Sequence, residues 1–427
     1  MRKRLLRKII NIKKEVAALD LGTSAICAAI IKKEKKESEE FLGVSSKIRV
    51  LGVGYQLAKG IKKGAITDLE DLEESILNTI STVEKEAQKS IKSIFVALPS
   101  WALSSHAAEA SINIGQLPID DIHINSLINF DASRYIDGSN EVIHVFPVSY
   151  SVDDARDIID PIGMVGKTLS AKFHIITAQS SLIKNLTNCL NRNNIEVIGF
   201  ISSTYASALS VLLEDEIKSG ATLIDIGGAI TSIACFYEDT PLYLGFIPIG
   251  SQNITNDIAT VLRTTKPNAE RLKTLHGVSG GILMEEESIL VSRVDEYGEE
   301  HIQNISKGML DQIISTRLYE ILSLAQDHIR KCGADRLLYQ RIVVTGGGSL
   351  LSGLSEFIKF KKLFGDVSVR LGKPLGVVGS HDFVRTASFA SVAGAATYYL
   401  GDFPNRVLTG GEESLWQKII TWFKRGV

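Results

Sequence analysis

The stretch ATLIDIGGAITSIACFY, residues 221–237, decides the fold, because it places a glycine turn between two apolar runs that read as strands. The stretch VAALDLGTSAICAAII, residues 16–31, shows the same order about 205 residues earlier. A strand–turn–strand unit that occurs twice in one chain predicts a duplicated α/β fold with a cleft between its two lobes.

A third glycine turn lies in RIVVTGGGSLLSGLSEFI, residues 341–358, and also follows an apolar strand. Glycine lets the backbone turn tightly and come close to a ligand. Successive backbone N–H groups in such turns form a concavity that binds anions. Three such turns predict a split site for nucleotide phosphates. Its candidate residues are Asp20, Gly22, Thr23, Ser24, Asp225, Gly227, Gly228, Gly346, Gly347 and Gly348.

An aspartate stands just before each of the first two turns, at Asp20 and Asp225. A carboxylate can hold Mg²⁺ through the waters that this ion prefers to keep. We therefore expect Asp20 and Asp225 to hold a magnesium ion through its waters.

The bulk composition bounds the other possibilities. The chain has 427 residues, 44% of them hydrophobic, and a net charge of -2. This length allows two or more cores, and the balanced charge gives no indication of a nucleic-acid partner. The four cysteines are far apart and lack zinc-site spacing, which favours reduced thiols in the cytoplasm. No apolar run is long enough to span a bilayer, so we expect any membrane contact to be peripheral.

The stretch SLWQKIITWFKRGV, residues 414–427, contains two of the three tryptophans. On a helix, its bulky apolar side chains occupy one arc and its cations lie beside them. Such a helix is typical of the lipid–water interface, although a helix docked on its own domain is the alternative. The predicted membrane-binding residues are Leu415, Trp416, Lys418, Ile419, Ile420, Trp422, Phe423, Lys424 and Arg425.

The other end of the chain, MRKRLLRKIINIKK at residues 1–14, carries seven basic residues and no acidic one. Two interpretations of this basic arm remain open. In the first it is a solvated arm. In the second it helps to bind acidic lipid headgroups, and each Lys or Arg near such a surface contributes about 1 kcal/mol to binding.

Several of these motifs resemble those of the actin/Hsp70/sugar-kinase superfamily. ALDLGTS (18–24) and LIDIGGAIT (223–231) look like its two phosphate loops, and VVTGGGSLLSG (343–353) looks like its adenosine loop. YASALSV (205–211) and SVAGAA (391–396) look like its connecting helices. The resemblance implies ATP with Mg²⁺ as the ligand, and it implies that Glu270 and Lys273 hold the adenosine.

Within that superfamily the chain is similar to the bacterial cell-division family FtsA. The similarity rests on GYQLAKG (54–60), KGAITDLEDLEESI (63–76), HVFPVSYSVDD (144–154) and DPIGMVGKTLSAKFHIIT (160–177). It implies a protein that polymerises and tethers the FtsZ ring to the cytoplasmic face of the inner membrane at the division septum. It also implies contacts with later division membrane proteins and with anionic lipid.

The resemblance also implies a division of the chain into domains. Residues 253–317 would contact FtsZ, and residues 92–173 would serve self-assembly or contact downstream proteins. The expected parts are a basic arm (1–14), a first lobe (15–91, 174–217 and 388–400), a family-specific subdomain (92–173), a second lobe (218–252 and 318–387), a second-lobe subdomain (253–317), a linker (401–413) and the amphipathic helix (414–427).

One position departs from the superfamily pattern. Many ATP-hydrolysing relatives carry Glu or Gln just before the first connecting helix, where this chain has Ser203. We therefore expect ATP binding with at most weak hydrolysis, and we assign no catalytic residue. Two alternatives stay open: an ATP-binding scaffold of a pilus machine, similar to PilM, and a sugar or acid kinase of the same fold. The kinase would need a carboxylate in the cleft as a base.

Overall fold

The structure is a computed structural model that describes residues 14–34, 47–62, 65–132, 139–278, 287–294, 299–331 and 341–401. The predicted amphipathic helix at 414–427 lies outside the described residues, as do the linker after residue 401 and residues 1–13 of the basic arm. Among the described helices, none combines the length and the apolar character that a membrane span requires.

The strands follow the predicted apolar runs. In chain order they are β1 (Glu15–Leu21), β2 (Ala25–Lys33), β3 (Ile48–Leu57), β4 (Ile61–Lys62), β5 (Ala65–Ile66), β6 (Ser93–Leu98), β7 (Leu103–Asn113), β8 (Asn140–Val152), β9 (Ala155–Ile158), β10 (Thr168–Gln179), β11 (Glu196–Ser202), β12 (Ala221–Ile226), β13 (Thr231–Tyr237), β14 (Thr240–Ile247), β15 (Ser288–Val294), β16 (Glu300–Ser306), β17 (Arg341–Thr345), β18 (Ser368–Leu371) and β19 (Val377–Val378).

The helices connect or cover these strands. In chain order they are α1 (Leu69–Ala87), α2 (Asp121–Ala132), α3 (Ser180–Arg192), α4 (Ser203–Val211), α5 (Glu214–Ser219), α6 (Ser251–Leu262), α7 (Lys266–His276), α8 (Lys307–Lys331), α9 (Leu354–Lys361) and α10 (Ala390–Leu400). Helix α1 shows why they form. Its buried residues recur on one face, and the side chain of Asp68 accepts hydrogen bonds from the backbone of its first turn.

Two large sheets confirm the predicted duplication. The first sheet has the order β11-β6-β1-β2-β3-β19, and the second has the order β14-β13-β12-β17-β18. In each, an antiparallel pair (β1–β2, β12–β13) is joined to a parallel neighbour (β6, β17). Both glycine turns therefore stand at equivalent ends of equivalent strands, one in each lobe.

A third sheet forms a separate inserted subdomain. Its order is β7-β10-β8-β9, and with α2 it encloses a hydrophobic core of its own. The predicted boundaries of 92 and 173 are wrong. Strand β6 pairs with β1 and β11 and so belongs to the first lobe, while β10 continues without a break to Gln179. A shared ladder of backbone hydrogen bonds, rather than proximity in sequence, decides this assignment.

Two second-lobe boundaries also need correction. The predicted division between residues 317 and 318 falls inside α8, a single helix of 25 residues with buried side chains along its length. The predicted return to the first lobe at 388 is late, because β19 already pairs with β3 of the first sheet. Neither the continuity of α8 nor the pairing of β19 with β3 is visible in the local sequence.

The two connecting helices, α4 and α10, pack against each other between the lobes. A Cβ atom on Gly394 would overlap the backbone carbonyl of Ala206, so only glycine permits this approach. The Ser210 hydroxyl also donates a hydrogen bond to the carbonyl of Ala390 at 2.7 Å. The small residues that suggested connecting helices therefore allow close packing of their backbones.

Candidate nucleotide site between the lobes

The cleft between the lobes brings most of the predicted phosphate-site residues together. Those that line it are Asp20, Gly22, Thr23, Ser24, Asp225, Gly227, Gly228, Gly346 and Gly347. They come from three chain segments far apart in sequence, and each segment follows a buried strand of one of the two large sheets. The residues predicted to form a split site therefore lie together in one cleft.

The first two turns touch each other across the cleft. The backbone N–H of Ala229 donates to the Thr23 hydroxyl at 3.1 Å. A Cβ atom on Gly228 would overlap Ser24 Oγ, so a larger residue would push the turns apart. Ser24 Oγ is itself buried without a hydrogen-bond partner in the described part of the chain. A buried hydroxyl that lacks a partner is costly, and a phosphate oxygen would satisfy it.

The third glycine turn packs against the residues that lead into the second turn. Gly346 has φ +84°, and a Cβ atom there would overlap the carboxylate of Asp225. Gly348 does not line the cleft. It packs against Ile226, where an added Cβ would overlap that side chain. Gly348 therefore holds the third turn close to the second strand rather than facing a ligand.

Two carboxylates face the cleft from opposite lobes. The Ser391 hydroxyl donates to Asp20 at 2.8 Å, and the Ser207 hydroxyl donates to Asp225 at 2.8 Å. Burial raises the pKa of Asp20 to about 7; the bond from Ser391 opposes this shift, and the charge of Asp225 adds to it. Burial also raises the pKa of Asp225, against the bond from Ser207.

This pair is suited to a divalent cation. Two carboxylates that repel each other in a poorly hydrated cleft are stabilised when a positive charge lies between them. Mg²⁺ is usually held by one or two carboxylates plus substrate phosphates, and it keeps several waters. Asp20 and Asp225, with the orphaned hydroxyl of Ser24 nearby, fit a hydrated magnesium ion that accompanies a phosphate chain.

The two residues expected to hold adenosine lie on α7, beside the cleft lining rather than in it. Lys273 is buried; its Nζ donates to Thr255 Oγ1 at 2.9 Å and pairs with Glu270 at 2.8 Å. Burial raises the pKa of Tyr55, and the charges of Cys27, Glu270 and Asp20 add to the shift. Glu270 therefore acts on Tyr55, which lines the cleft from β3 and is half-exposed.

Several lining residues were missed by the sequence analysis. The serines that hold the carboxylates, Ser207 and Ser391, sit in the two small-residue helices, so the motif was noticed but their role was not. Tyr55 and Ser232 also line the cleft. Tyr55 lies in GYQLAKG, which indicated the family but not the cleft, and Ser232 lies within β13. Only the pairing of strands brings each of them to the cleft.

Ser203 also lines the cleft, as the first residue of α4. Behind it, the Ser100 hydroxyl contacts Thr204 Oγ1 and lies 2.9 Å from Ser232 Oγ. The inner end of the cleft is therefore lined by hydroxyl groups. A hydroxyl can orient a water molecule, but without a neighbouring base it cannot take a proton from it.

The fold is duplicated and has two lobes, and its cleft contains three glycine turns and two opposed aspartates. These features define the chain as an actin-like protein. Members of this class generally bind nucleotides. The family model for cell division protein FtsA matches residues 222–394, and the model for the SHS2 domain inserted in FtsA matches residues 102–177. The chain belongs to the FtsA family of cell division proteins.

Curated relatives extend over most of the chain. The cell division protein FtsA of Agrobacterium fabrum is 31% identical over 387 residues, which cover 90% of this chain and 86% of that protein. The FtsA of Escherichia coli strain K12 is 27% identical over 394 residues, with 90% of each chain covered. The matched SHS2 range agrees with the observed β7–β10 insert rather than with the predicted limits.

Solved structures share the fold at low identity. A PilM–PilN type IV pilus biogenesis complex matches with a TM-score of 0.62 and 15% identity, covering 91% of this chain and 99% of that one. MreB5 of Spiroplasma citri bound to ADP matches with a TM-score of 0.53 and 13% identity, covering 91% and 96%. These likenesses confirm the actin-like fold. The likeness to PilM concerns architecture alone.

The raised pKa of Asp20 predicts a pH dependence of stability. Between about pH 4 and pH 7 the folded chain keeps a proton on Asp20 that the unfolded chain has released. The contribution of this group to the free energy of unfolding therefore falls as the pH rises through that window. We expect Asp20→Asn to raise the thermal midpoint of the ligand-free protein, with a gain that grows up to about pH 7 and then levels off.

Asp382→Asn provides the matched control, because that side chain is fully exposed. Thermal unfolding of both variants and the parent at several pH values, followed by circular dichroism, gives the comparison. If the increase in thermal midpoint caused by Asp20→Asn does not change with pH, the pKa of Asp20 is not raised in the folded chain.

Proposed function

We propose that the cleft binds ATP with Mg²⁺ and that the bound nucleotide holds the two lobes in a closed arrangement. The convergence of three glycine turns on two opposed carboxylates carries this proposal. Backbone N–H groups of the turns at Gly22, Gly228 and Gly346 would donate hydrogen bonds to phosphate oxygens. The magnesium ion would neutralise Asp20 and Asp225, so that closure no longer places two unscreened charges together.

The chain's own groups would act on the nucleotide mainly by holding it. Ser24 Oγ would donate to a phosphate oxygen, while Glu270 and Lys273 border the place where the adenosine would lie. The hydroxyl-lined inner end offers Ser203 where a water-orienting Glu or Gln would serve hydrolysis. We infer a protein that keeps ATP bound and hydrolyses it slowly.

In the cell, we propose that the protein polymerises and tethers the FtsZ ring to the cytoplasmic face of the inner membrane at the septum. Membership of the FtsA family supports this role. The aromatic and basic stretch 414–427 supports a lipid anchor, with Trp416 and Trp422 suited to the headgroup boundary. One short helix binds weakly, but several copies on a filament would add their affinities.

Two exposed apolar surfaces support the proposed protein contacts. The hairpin β15–β16 exposes Leu290 and Ile302 on one face, which suits a partner such as FtsZ. The inserted subdomain exposes Leu117, Ile159 and Val165 near the end of its sheet, which suits self-assembly or contact with later division membrane proteins. Exposed apolar patches of this kind commonly mark protein interfaces.

Replacing the hydroxyl at the inner end of the cleft tests the slow-hydrolysis proposal. We expect Ser203→Glu to raise ATP hydrolysis about tenfold or more, since a positioned general base contributes about 10²-fold or more. Ser203→Ala is the control and should leave the slow rate unchanged. Phosphate release under single-turnover conditions measures both. Two results would contradict the proposal and favour the kinase alternative. One is a rate of ATP hydrolysis by the unmodified chain that is typical of a kinase, and the other is a large decrease of that rate in Ser203→Ala.

Sedimentation with vesicles tests the tethering role. We expect the full chain with ATP to carry FtsZ into the pellet with vesicles that contain acidic lipid. A chain truncated after Gly411 should bind FtsZ equally well in solution but leave it in the supernatant. Binding of FtsZ by neither form, together with binding of a peptide from a pilus membrane protein, would favour the pilus alternative. Equal pelleting by both forms would show that the tail is not the anchor.

A further inference from the structure

Three buried hydroxyl groups form a chain that ends at the cleft. The Ser100 hydroxyl donates to Ser232 Oγ at 2.9 Å and is also hydrogen-bonded to Thr204 Oγ1. All three residues are buried, and of the three only Ser232 lines the cleft. Because a hydroxyl has a single proton and that of Ser100 goes to Ser232, Thr204 must donate to Ser100. The chain therefore runs in one direction, from Thr204 through Ser100 to Ser232.

The proton of Ser232 is available to a ligand. Its oxygen accepts the bond from Ser100, and its hydroxyl donates no hydrogen bond to another residue that the structure describes. Hydroxyl groups in a chain polarise one another in surroundings of low dielectric, so that the last proton becomes a better donor. A buried donor that lacks an acceptor is costly, and an anionic oxygen in the cleft would satisfy it.

The pairing of β12 with β13 places this donor beside the expected cation. Asp225 and Ser232 lie directly opposite each other in the two strands, so their side chains share one face of the sheet and their Cβ atoms are about 5 Å apart. In the first lobe the residue opposite Asp20 is Cys27, whose thiol is only a weak donor. Of the two lobes, the second alone therefore offers a hydroxyl at this position.

The terminal phosphate is the part of ATP that would reach Ser232. A magnesium ion that accompanies ATP bridges oxygens of its β- and γ-phosphates, so a cation between Asp20 and Asp225 would bring both phosphates close to this pair of strands. Ser232 and Ser203 line the inner end of the cleft, whereas the adenosine is proposed to lie beside α7. The phosphate chain would therefore run inward and end at these hydroxyls.

We propose that Ser232 determines the preference of the cleft for a nucleoside triphosphate over a diphosphate, because its hydroxyl donates to the terminal phosphate. Thr204 and Ser100 are positioning residues, which touch no ligand and fix the direction of the Ser232 proton. The bond from Ser100, which follows β6 of the first lobe, to Ser232 on β13 of the second lobe also crosses between the lobes. The inference rests on the proposed nucleotide site.

Calorimetry of ATP and ADP binding to full-length variants, with excess Mg²⁺, tests this preference. We expect Ser232→Ala to weaken ATP binding about tenfold or more, the usual contribution of a hydrogen bond to a charged group, and to leave ADP binding nearly unchanged. Ser232→Cys should behave in the same way, because it keeps the shape of the side chain but is a weak donor. Ser75→Ala is the control, since Ser75 is a buried serine of α1 that does not line the cleft.

Two variants of Thr204 test the hydroxyl chain. Thr204→Val keeps the shape of the side chain and removes its hydroxyl, so part of the preference for ATP should be lost, and Thr204→Ser should restore it. A purely structural role of Thr204 would change the affinities for ATP and ADP alike. A preference for ATP that is unchanged in Thr204→Val would show that Ser232 does not depend on the chain and would overturn that part of the inference.

The outcomes separate this inference from the proposed nucleotide site. A parent that binds ATP and ADP equally, or a Ser232→Ala variant that keeps the affinity of the parent for ATP, overturns the inference and leaves the nucleotide site intact. Equal losses of affinity for ATP and ADP in Ser232→Ala and Ser232→Cys overturn it as well. A parent that binds neither nucleotide overturns both the inference and the proposed site.

Discussion

The burial of two carboxylates, Asp20 and Asp225, at the cleft between the lobes is the constraint on which the rest of the site depends. Each carboxylate ends a central strand of one lobe, and burial in the cleft raises the pKa of both. In the empty cleft, this burial favours the protonated, uncharged form of both side chains. With a cation and a phosphate chain between them, the same geometry becomes attractive. The proposed closure around a nucleotide would follow from this difference.

The surrounding fold ties both carboxylates to the junction between the lobes. The serines that hold the two carboxylates, Ser207 and Ser391, belong to the connecting helices α4 and α10. The backbones of these helices approach closely at Gly394. The two hydrogen bonds therefore connect each carboxylate to the helix pair at the junction of the lobes. The inserted subdomain shares in this arrangement, because His174 on β10 lies 2.7 Å from the carbonyl of Pro241 on the second lobe.

Sequence reasoning predicted the parts of the site that local chemistry determines. The glycine turns and their leading aspartates were found because a tight turn after an apolar strand leaves a contiguous signature. The boundary of the inserted subdomain was wrong because SIFVAL, residues 93–98, reads as a strand without stating which sheet it joins. Tyr55 and Ser232 were missed for a related reason. Their position at the cleft results from pairing between strands that are distant in sequence.

Calorimetry of ATP binding with excess Mg²⁺, repeated in buffers of different ionisation enthalpy, would test the role of the carboxylate pair most directly. A cation between Asp20 and Asp225 must displace the proton that Asp20 keeps in the empty cleft. Binding should therefore release roughly half a proton per chain at pH 7, more at pH 6 and almost none at pH 9. Binding without proton release at both pH 6 and pH 7 would show that the two carboxylates do not meet the cation.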